Sequence, residues 1–305
     1  MICMRDLGKW ISDVSAISGE DTVVSPYVLA SHNVSVGKGC YIGPHCVIEE
    51  DVQISDNVKV GAGVYFCPGV QVEGAATIGA NVCFTKQSFD ENKGGRSTVI
   101  GVGAVIGDGA IVYNGISIGQ FSKISPGALL TRSVPPYSIV EGNPARIVGY
   151  VNASSTAPLG LEAKLGREGI YRSAVNGVCL YSFPLINDIR GNLTVGEFER
   201  SIPFPVKRYF IVFNVPSVET RGEHAHYRCH QFLVCVKGSI SVMVDDGTGR
   251  EEFLLNRPEQ GLYLPPMTWG VQYKYSSDAV LLVFASDYYD EDDYIRNYDD
   301  FLRAI

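Results

Sequence analysis

Residues 24–84 read, six at a time, VSPYVL ASHNVS VGKGCY IGPHCV IEEDVQ ISDNVK VGAGVY FCPGVQ VEGAAT IGANVC F, and this repeat decides the fold of the N-terminal half. The first place of every six is apolar, and the fifth holds Val, Cys or Ala. Neither an α-helix, with about 3.6 residues per turn, nor a β-strand, in which alternate residues share a face, has a period of six. The repeat therefore predicts a β-helix of stacked triangular coils, three hexapeptides to a coil, with the first residues pointing inward.

The repeat is interrupted once. Apolar first residues return at every sixth place from Ile100 to Leu130, but Phe84 and Ile100 stand 16 positions apart, which is no multiple of six. Residues 85–99 are therefore expected to form a loop that leaves the stack, and loops on a rigid scaffold commonly carry function. Residues 1–23 lack the period and are expected to cap the first coil, whose open end would expose unpaired backbone groups.

The repeat closes with the run VPPYSIVEGNPAR at residues 134–146. With this run, the stretch from residue 24 to about residue 150 resembles the left-handed β-helix acyltransferases, and in particular their acetyl-CoA-dependent members. The resemblance implies acetyl-CoA as co-substrate, a trimer of β-helices, and an acceptor pocket that the loop at 85–99 helps to form. β-Helices also serve as inert scaffolds, but the closing run favours a transferase.

Composition limits the partners and the compartment. A net charge of -8 disfavours nucleic acid, because binding phosphates needs a basic face. The sequence has no apolar run as long as a membrane span and no signal-peptide core near Met1, so no membrane is expected and the predicted location is the cytoplasm. Among the eight cysteines, Cys40 and Cys46 occupy the small place of the repeat, which predicts reduced core thiols rather than disulfides.

Beyond residue 150 the pattern changes to short strands separated by turns. The predicted organisation is a β-helix domain at 1–150, a linker at 151–175 and a second domain at 176–305. Regular short strands with hairpin signals such as Asp246-Gly247 predict an antiparallel barrel or jelly roll, so the whole chain is expected to be all-β.

The second domain carries the motif RGEHAH at residues 221–226, followed by Gln231 and Gly238, and this resembles the first motif of the cupin family. Metal-binding cupins are expected to carry Glu at the place of Gln231 and a further His in a later motif. The matching later stretch, LPPMTWG at residues 264–270, contains no His. Two histidines without a carboxylate are a poor ligand set for a divalent ion, so the prediction is that no metal is bound.

More segments resemble one narrower family, the dTDP-sugar 3,4-ketoisomerases. They are DIRGNL at 188–193, VKR at 206–208, the RGEHAH motif, QFLVCVKG at 231–238, DDG at 245–247 and ASDYYD at 285–290. The resemblance spans 176–305, places His224 and His226 inside the barrel, and implies that a sugar-nucleotide ketone is isomerised without a cofactor. Some relatives carry a His where Gly270 stands, so the configuration at C4 of the product, galacto or gluco, stays open.

Histidine suits this chemistry because its pKa lies near the working pH. Residues two apart on a strand share a face, so His224 and His226 are expected to lie together. His226 is the predicted base and His224 its partner or a second proton carrier, whereas an isolated pair of this kind could also be packed core groups. Tyr209 is predicted to orient substrate or donate a proton, with a plain core Tyr as the alternative.

Four cations and one amide complete the predicted nucleotide-sugar site. An arginine fork matches a pyrophosphate well, and the alternative for each cation is a surface ion pair. These candidates are Arg190, Lys207, Arg208, Arg221 and Gln231.

For acetyl transfer, the first domain must bind an uncharged amine and stabilise a tetrahedral oxyanion. Its two histidines, His32 and His45, stand at different places in the repeat and are expected to be turn residues. The predicted acceptor-binding residues are Asn81, Lys86 and Asn114. The predicted coenzyme A contacts are Ala104, Ser122, Lys123 and Arg146, of which Arg146 is the strongest candidate.

Together the two resemblances predict a bifunctional dTDP-sugar 3,4-ketoisomerase and N-acetyltransferase that supplies a 3-acetamido-3,6-dideoxyhexose for surface polysaccharide such as lipopolysaccharide O-antigen. A separate aminotransferase must act between the two steps, because a 3-keto sugar has no amine. Threefold β-helix contacts and twofold cupin pairing together would give a hexamer. The alternatives are an acetyltransferase with a non-catalytic sugar-nucleotide-binding cupin, and a non-enzymatic assembly scaffold.

Overall fold

The computed structural model describes residues 10–11, 18–31, 33–86, 97–156, 169–217 and 219–305. These fall into two compact units, Met1–Val151 and Asn152–Ile305, and strands form nearly all of the regular structure in both. Within the described residues, no helix is both long and apolar enough to cross a membrane.

The first unit is a stack of short strands, most of them two residues long. They are β1 (Trp10–Ile11), β2 (Val23–Val24), β3 (Leu29–Ser31), β4 (Ser35–Val36), β5 (Tyr41–Ile42), β6 (Val47–Ile48), β7 (Gln53–Ile54), β8 (Lys59–Val60), β9 (Tyr65–Phe66), β10 (Gln71–Val72), β11 (Thr77–Ile78), β12 (Cys83–Phe84), β13 (Val99–Ile100), β14 (Val105–Ile106), β15 (Ile111–Val112), β16 (Ser117–Ile118), β17 (Lys123–Ile124), β18 (Leu129–Leu130), β19 (Ser138–Glu141) and β20 (Arg146–Tyr150).

Every third strand of this stack joins the same sheet, which gives three sheets. Sheet A has the order β1-β3-β6-β9-β12-β15-β18, sheet B has β16-β13-β10-β7-β4, and sheet C has β2-β5-β8-β11-β14-β17-β19-β20. Apart from β1 on β3 and β20 on β19, all pairs are parallel. The predicted solenoid of hexapeptide coils is therefore confirmed. Of residues 1–23, predicted to cap the first coil, β1 pairs antiparallel with β3, whereas Ser18 and Val23 pair parallel with Val36 and Tyr41 and so belong to the stack.

The register shows where the predicted loop leaves the stack. Val36 pairs with Ile54, 18 positions away, as three hexapeptides require. Val72 instead pairs with Ile100, 28 positions away, so ten residues are inserted between those two coils. The loop predicted at 85–99 lies at this insertion, and its residues 87–96 lie outside the described residues.

The inside of the stack is a single apolar core. The first residues of the hexapeptides and the small fifth residues are buried, and Phe66 stacks on Phe84 with ring centroids 5.1 Å apart. Stacked turns approach closely outside this core. A Cβ atom on Gly43 would lie 2.6 Å from the backbone of Gly61, so glycine is required there. The seven cysteines in the described part of the chain all carry free thiols, and Cys40 and Cys46 are buried in the core as predicted.

The second unit is built from longer strands, a 3₁₀ turn and a short helix. They are β21 (Ala153–Thr156), β22 (Ile170–Arg172), β23 (Cys179–Ser182), β24 (Leu185–Asp188), β25 (Gly191–Thr194), β26 (Arg208–Phe213), β27 (Arg221–His226), β28 (Gln231–Lys237), β29 (Ile240–Asp245), β30 (Arg250–Leu255), β31 (Gln260–Leu264), β32 (Trp269–Tyr273), β33 (Val280–Ala285), the 3₁₀ turn Glu291–Asp293, β34 (Tyr294–Ile295) and α1 (Tyr298–Ala304).

Two six-stranded sheets enclose the core of this unit. Sheet D has the order β21-β30-β29-β32-β27-β34 and sheet E has β22-β23-β31-β28-β33-β26, while β24 and β25 form a separate hairpin. Apolar residues from both sheets, among them Val242 and Leu281, form one buried cluster. The antiparallel barrel of the cupin type is confirmed.

The stretch predicted as a linker at 151–175 contributes structure to the second unit. β21 pairs with β30 and β22 pairs with β23, so both occupy sheet edges that would otherwise present unpaired backbone groups. Tyr171 and Ser173 also hold the carboxylate of Glu251, which is buried in sheet D. The polar composition of this stretch suggested a connection, whereas edge pairing and two side-chain contacts tie it to the cupin unit.

Candidate active sites

A bulge in β27 brings the two predicted histidines to the inside of the second unit. The pairing of β27 with β32 shifts between Gly222 and His224, and Gly222 and Glu223 both adopt positive φ. After the bulge the strand alternates regularly, so His224 and His226 share a face with ring centroids 4.9 Å apart. This is the arrangement that the spacing predicted.

His226 is held at both ring nitrogens. Its Nδ1 lies 3.0 Å from Oδ2 of Asp293, and its Nε2 lies 3.0 Å from Nε2 of Gln231. A carboxylate only accepts and an amide nitrogen only donates, so Nδ1 carries the proton and the lone pair of the unprotonated Nε2 accepts a hydrogen bond from Gln231. The sequence placed Gln231 beside the sugar nucleotide, and the structure places its amide against the imidazole.

Asp293 is itself fixed in place. It is 4% exposed, and its carboxylate also accepts the backbone N–H groups of Arg228 (2.8 Å) and Cys229 (3.2 Å). A buried carboxylate with several donors stays oriented, and here it fixes the tautomer and the plane of the His226 ring.

His224 is also held by a hydrogen bond at Nδ1. Its Nδ1–H donates to the carbonyl of Gly222 at 2.9 Å, which leaves Nε2 unprotonated in the neutral ring. Burial lowers the pKa of His224, and Arg296 adds a smaller lowering. Burial also lowers the pKa of His226, with repulsion from His224 second, while Asp293 opposes the shift. Both rings are therefore neutral at neutral pH and able to take up a proton.

The ring of Tyr294 packs against both histidines. Its centroid lies 4.3 Å from the His226 ring centroid and 4.9 Å from that of His224. The guanidinium carbon of Arg296 lies 4.3 Å from the Tyr294 ring centroid. Arg208 also lies close enough to lower the pKa of His226, and its buried Nε has no hydrogen-bond partner among the described residues. A cation of this kind beside the site is available for an anionic ligand.

The histidines open into a small pocket that the stretch 264–270 helps to wall. Met267 donates its backbone N–H to the carbonyl of His226 at 2.7 Å, which links this stretch to the strand that carries the histidines. Gly270 also lines the pocket, and a Cβ atom there would lie 3.1 Å from Leu264 Cδ2. The pocket is lined by His224, His226, Cys229, Gln231, Leu264, Pro265, Thr268, Gly270 and Gln272.

One group of side chains in the described residues has ligand atoms close enough for a metal ion. It consists of His226, Cys229 and Asp293, whose ligand atoms lie within 4.8 Å of one another. The Asp293 carboxylate, however, already accepts from the His226 ring and from the Cys229 backbone. Donors and acceptors here are matched to one another, and the expectation that no metal binds stays a prediction.

Four other predicted residues of this domain, Tyr209, Arg190, Lys207 and Arg221, are exposed. Tyr209 is 67% exposed, because β26 alternates and turns Arg208 inward and Tyr209 to the opposite face of sheet E. Arg190 is exposed at the turn of the β24–β25 hairpin and paired with Asp188, Lys207 is paired with Asp287, and Arg221 is exposed at the start of β27. Tyr209 is therefore not brought to His226, which corrects the prediction that it acts in catalysis.

Sequence reasoning missed Asp293, Tyr294 and Arg296. They lie in the stretch EDDYIR at 291–296, an acidic run that matched none of the motifs identified in the sequence. The pairing of β34 with β27, His226 against Tyr294, brings this stretch to the site from 67 residues away. No local pattern carries that information.

In the first unit, two of the predicted acceptor-binding residues share a corner. The A–B corner is defined here as the turns that follow the strands of sheet A. Phe84 pairs with Val112, so Lys86 and Asn114, each two residues later, occupy equivalent places in neighbouring coils. Asn81 belongs to a turn between sheet C and sheet A, and so lies at a different corner of the prism.

Two of the four predicted coenzyme A contacts point into the core. Ala104 is fully buried, and its backbone N–H and C=O bond to Gly101 and Thr77. Ser122 is also fully buried, and its hydroxyl donates to the carbonyl of Pro135 at 2.8 Å. These side chains fill the small fifth place of the repeat, so they cannot touch a ligand outside the prism, which corrects the prediction.

The other two predicted coenzyme A contacts remain accessible. Lys123 points outward from β17, and Arg146 is exposed at the start of β20, both on sheet C. Of the two histidines, His45 stacks on Tyr27 at a turn between sheets C and A, and His32 lies outside the described residues.

Comparison with known proteins matches each unit to a different family. Residues 176–305 match the FdtA family, described as WxcM-like, C-terminal, and residues 33–68 and 94–131 match the hexapeptide repeat of succinyl-transferase. A TDP-4-oxo-6-deoxy-α-D-glucose-3,4-oxoisomerase of Aneurinibacillus thermoaerophilus is 46% identical over 124 residues, which cover 41% of this chain and 89% of that protein.

Two further relatives complete the comparison. A dTDP-3-amino-3,6-dideoxy-α-D-galactopyranose 3-N-acetyltransferase of the same organism is 41% identical over 54 residues, 18% of this chain and 28% of that enzyme. The structure of a 3,4-ketoisomerase from Helicobacter canadensis is 38% identical, covers 42% of this chain and 96% of its own, and superposes with a TM-score of 0.41.

The chain thus combines a cupin barrel, which holds a pair of neutral histidines, with a hexapeptide β-helix. This combination defines a fused two-domain sugar-nucleotide enzyme. Through residues 176–305 the chain belongs to the FdtA family of WxcM-like C-terminal domains.

Proposed function

We propose that the chain is a bifunctional enzyme that isomerises a dTDP-4-keto-6-deoxyhexose to the 3-keto sugar and N-acetylates the 3-amino sugar made from it. Homology to a TDP-sugar 3,4-oxoisomerase supports the first activity, and homology to a dTDP-amino-sugar N-acetyltransferase supports the second. The single observation that carries the isomerase is the His226 ring, with Nδ1 on Asp293 and Nε2 turned toward the pocket.

The isomerisation needs only proton transfers. The C4 carbonyl acidifies the C3 proton, which the unprotonated Nε2 of His226 removes to give an enediol. The same proton, or one from solvent, returns to C4, while the hydroxyl proton at C3 moves to the oxygen at C4. His224 lies 4.9 Å from His226 by ring centroids and is suited to carry that second proton. Nothing is oxidised or reduced overall.

Arg208 is our first choice for the pyrophosphate, because its guanidinium lies near His226 and its buried Nε has no partner among the described residues. Arg296, whose guanidinium lies 4.3 Å from the Tyr294 ring centroid, is a second candidate cation. Lys207, Arg190 and Arg221 are further candidates for the pyrophosphate. For Gln231 we propose a role at His226, where its amide donates to Nε2 until the substrate binds.

A proton NMR spectrum of dTDP-4-keto-6-deoxyglucose incubated with the protein tests the isomerase. Conversion to a 3-keto sugar supports the proposal, and the C4 coupling reports galacto or gluco configuration. A spectrum without change over hours would favour the alternative in which the cupin only binds sugar nucleotides.

For the β-helix unit we propose acetyl transfer from acetyl-CoA to a dTDP-3-amino-3,6-dideoxyhexose. The chain matches only 28% of the related N-acetyltransferase, so both the activity and the acceptor are part of the proposal. Lys86 and Asn114 at the A–B corner are the proposed acceptor contacts, and Lys123 and Arg146 on sheet C are the proposed coenzyme A contacts. An aminotransferase is required between the two steps, and surface polysaccharide is the proposed destination.

We also propose that the protein is a trimer or hexamer. The outward residues of sheet A are apolar or weakly polar throughout, whereas those of sheet B are mostly Ser and Gln, so sheet A is the face suited to a second copy. The first set is Leu29, Val47, Tyr65, Cys83, Ile111 and Leu129, and the second is Ser35, Gln53, Gln71, Val99 and Ser117.

The cupin unit offers a second exposed apolar surface. Tyr209, Ile211 and Phe213 on β26 point outward, and the β24–β25 hairpin exposes Leu185 and Ile186. Sedimentation of the intact protein tests both contacts. A mass of three or six chains of 33.2 kDa is expected, and a monomer at micromolar concentration would contradict the proposal.

A further inference from the structure

A carboxylate, a phenol and an ammonium meet at the A–B corner of the β-helix unit. Tyr65 donates its hydroxyl to Oε1 of Glu49 at 2.7 Å, and Nζ of Lys86 lies 2.7 Å from Oε2. Glu49 directly follows β6, Tyr65 begins β9 one coil later, and Lys86 follows β12 in the next coil. Three successive coils therefore contribute one group each.

The corner is organised around Glu49. Its side chain is 18% exposed, whereas the side chain of its neighbour Glu50 points to solvent. Tyr65 is packed against the apolar core, and burial together with the hydrogen bond to Glu49 raises the pKa of Tyr65 to about 12, so the phenol keeps its proton. Hydrogen bonding to Glu49 raises the pKa of Lys86, which stays a cation. Each carboxylate oxygen is thus held by one donor.

Such a carboxylate still has room for a ligand. An ionised carboxyl has about four lone-pair sites, and the contacts with Tyr65 and Lys86 use two of them. The partner that a held carboxylate takes most readily is an N–H group of a cation, and Lys86 already demonstrates that an ammonium fits against Oε2. A primary amine bound as its ammonium form has the same chemistry.

Two thiols next to the cluster do not compete for the role of nucleophile. Cys67 is 1% exposed, and burial raises its pKa to about 11, with Glu49 as the next cause. Burial also raises the pKa of Cys83. Both stay protonated at neutral pH, so a covalent acetyl-cysteine intermediate is not supported at this corner.

We propose that Glu49 is a catalytic residue of the acetyltransferase, which binds the ammonium of the acceptor and removes its proton. This rests on the acetyl transfer proposed above and names the amine subsite within it. Asn114 and Lys86 share the corner and would contact the sugar, while His45 lies at another corner. Tyr65 is a positioning residue, because it acts by holding the carboxylate.

The step is balanced without further reactants. The amine nitrogen attacks the acetyl carbonyl, the N–C bond forms and the C–S bond breaks. The two protons that the ammonium loses pass by way of Glu49 to the thiolate of coenzyme A and to solvent, and the carboxylate is regenerated. A carboxylate that is oriented before the amine binds lowers the cost of removing this proton.

The test uses the full chain, acetyl-CoA and a dTDP-3-amino-3,6-dideoxyhexose, with the acetylated sugar nucleotide measured by chromatography. We expect Glu49→Gln to lower kcat/KM about 10²- to 10⁴-fold, the usual contribution of a positioned base, and Tyr65→Phe about threefold to tenfold. Glu49→Asp keeps the charge but has a side chain one methylene shorter, so its kcat/KM should lie between those of the unaltered protein and Glu49→Gln. The matched control is Glu50→Gln, which removes the same charge next door and should leave the rate unchanged.

The outcomes separate this inference from the function on which it rests. If the unaltered protein acetylates no 3-amino sugar, the acetyltransferase proposal fails. If it does, and Glu49→Gln stays within threefold of Glu50→Gln, then Glu49 only forms a structural ion pair and the inference is overturned. A pH profile of kcat/KM provides the second readout, because loss of a base removes its acid limb, and isomerase activity in the same sample shows that the variant is folded.

Discussion

In the β-helix unit a side chain is placed by its position in the repeat, whereas in the cupin unit it is placed by contacts between distant segments. Lys86 and Asn114 share a corner because each follows a strand of sheet A by two residues. His226 and Asp293 meet, although 67 residues separate them, because β34 pairs with β27. Corner residues can therefore be changed without disturbing the stack, while the cupin site is built from groups that also hold the barrel together.

The largest effect is expected at His226. His226→Asn should lower the isomerase rate about 10²- to 10⁴-fold, because the ring supplies the only base proposed for the C3 proton, while acetyl transfer should be unchanged. Exchange of the C3 proton with deuterated water measures this. The matched control is His230→Asn, since His230 is bonded to Tyr263 on the other side of sheet E and should leave exchange intact. Equal losses in both variants would mean that the histidines are merely structural.

Asp293 should give the next largest effect. Asp293→Asn keeps the shape but removes the charge that orients the Nδ1–H of His226, so kcat should fall about 10- to 100-fold with KM little changed. Because Asp293 raises the pKa of His226, its loss should also move the acid limb of the pH profile to lower pH. An unmoved acid limb would show that Asp293 acts only in packing.

The boundary between the units can be tested with two fragments. A fragment 152–305 retains β21, β22 and the partners of Glu251, whereas a fragment 176–305 leaves that carboxylate buried without Tyr171 and Ser173. Each hydrogen bond that a buried carboxylate loses costs about 1.5–3 kcal/mol. Thermal melting should therefore show the shorter fragment to be clearly less stable, and the longer one should isomerise without acetyl-CoA. Equal melting temperatures of the two fragments would show that residues 152–175 are only a linker and do not stabilise the cupin unit.

The smallest expected effect is on the pH dependence of cupin stability. The pKa values of His224 and His226 are lowered by burial, so the unfolded chain binds more protons than the folded one below about pH 6.5. Stability should be complete above that pH and should fall as the pH drops toward the lowered values, by on the order of 1 kcal/mol. Melting of the fragment 152–305 between pH 7.5 and 5 checks this. The slope should be shallower in His226→Asn, and an equal slope would assign the effect to other groups.

The sequence was sufficient for what the repeat and the local motifs encode. A period of six requires a stacked solenoid, the register interruption locates the inserted loop, and two histidines at alternate strand positions must share a face. Ala104 and Ser122 were misassigned because the same repeat places them inside the prism, where a small residue is needed for packing and not for binding. Tyr209 was misassigned because the phase of β26 is set by its pairing with β33.

What could not be predicted depends on tertiary pairing. Asp293 lies in an acidic run that resembles any solvated surface, and only the β27–β34 pairing turns it toward His226. Glu49 and Tyr65 are ordinary residues at variable places of the repeat, and their contact with Lys86 arises from the stacking of three coils. In both units, the candidate site is formed by polar side chains that do not follow the residue pattern of the surrounding scaffold.

The central claim is that this cupin isomerises a sugar nucleotide by histidine acid/base chemistry without a metal. The most direct measurement is proton NMR in deuterated water of dTDP-4-keto-6-deoxyglucose with protein that has been exhaustively treated with EDTA and assayed for metals. Undiminished conversion to the 3-keto sugar, with deuterium entering at C3 of the substrate or C4 of the product, is the predicted result. Loss of conversion that zinc or manganese restores would contradict it, and would make His226, Cys229 and Asp293 the ligands to examine.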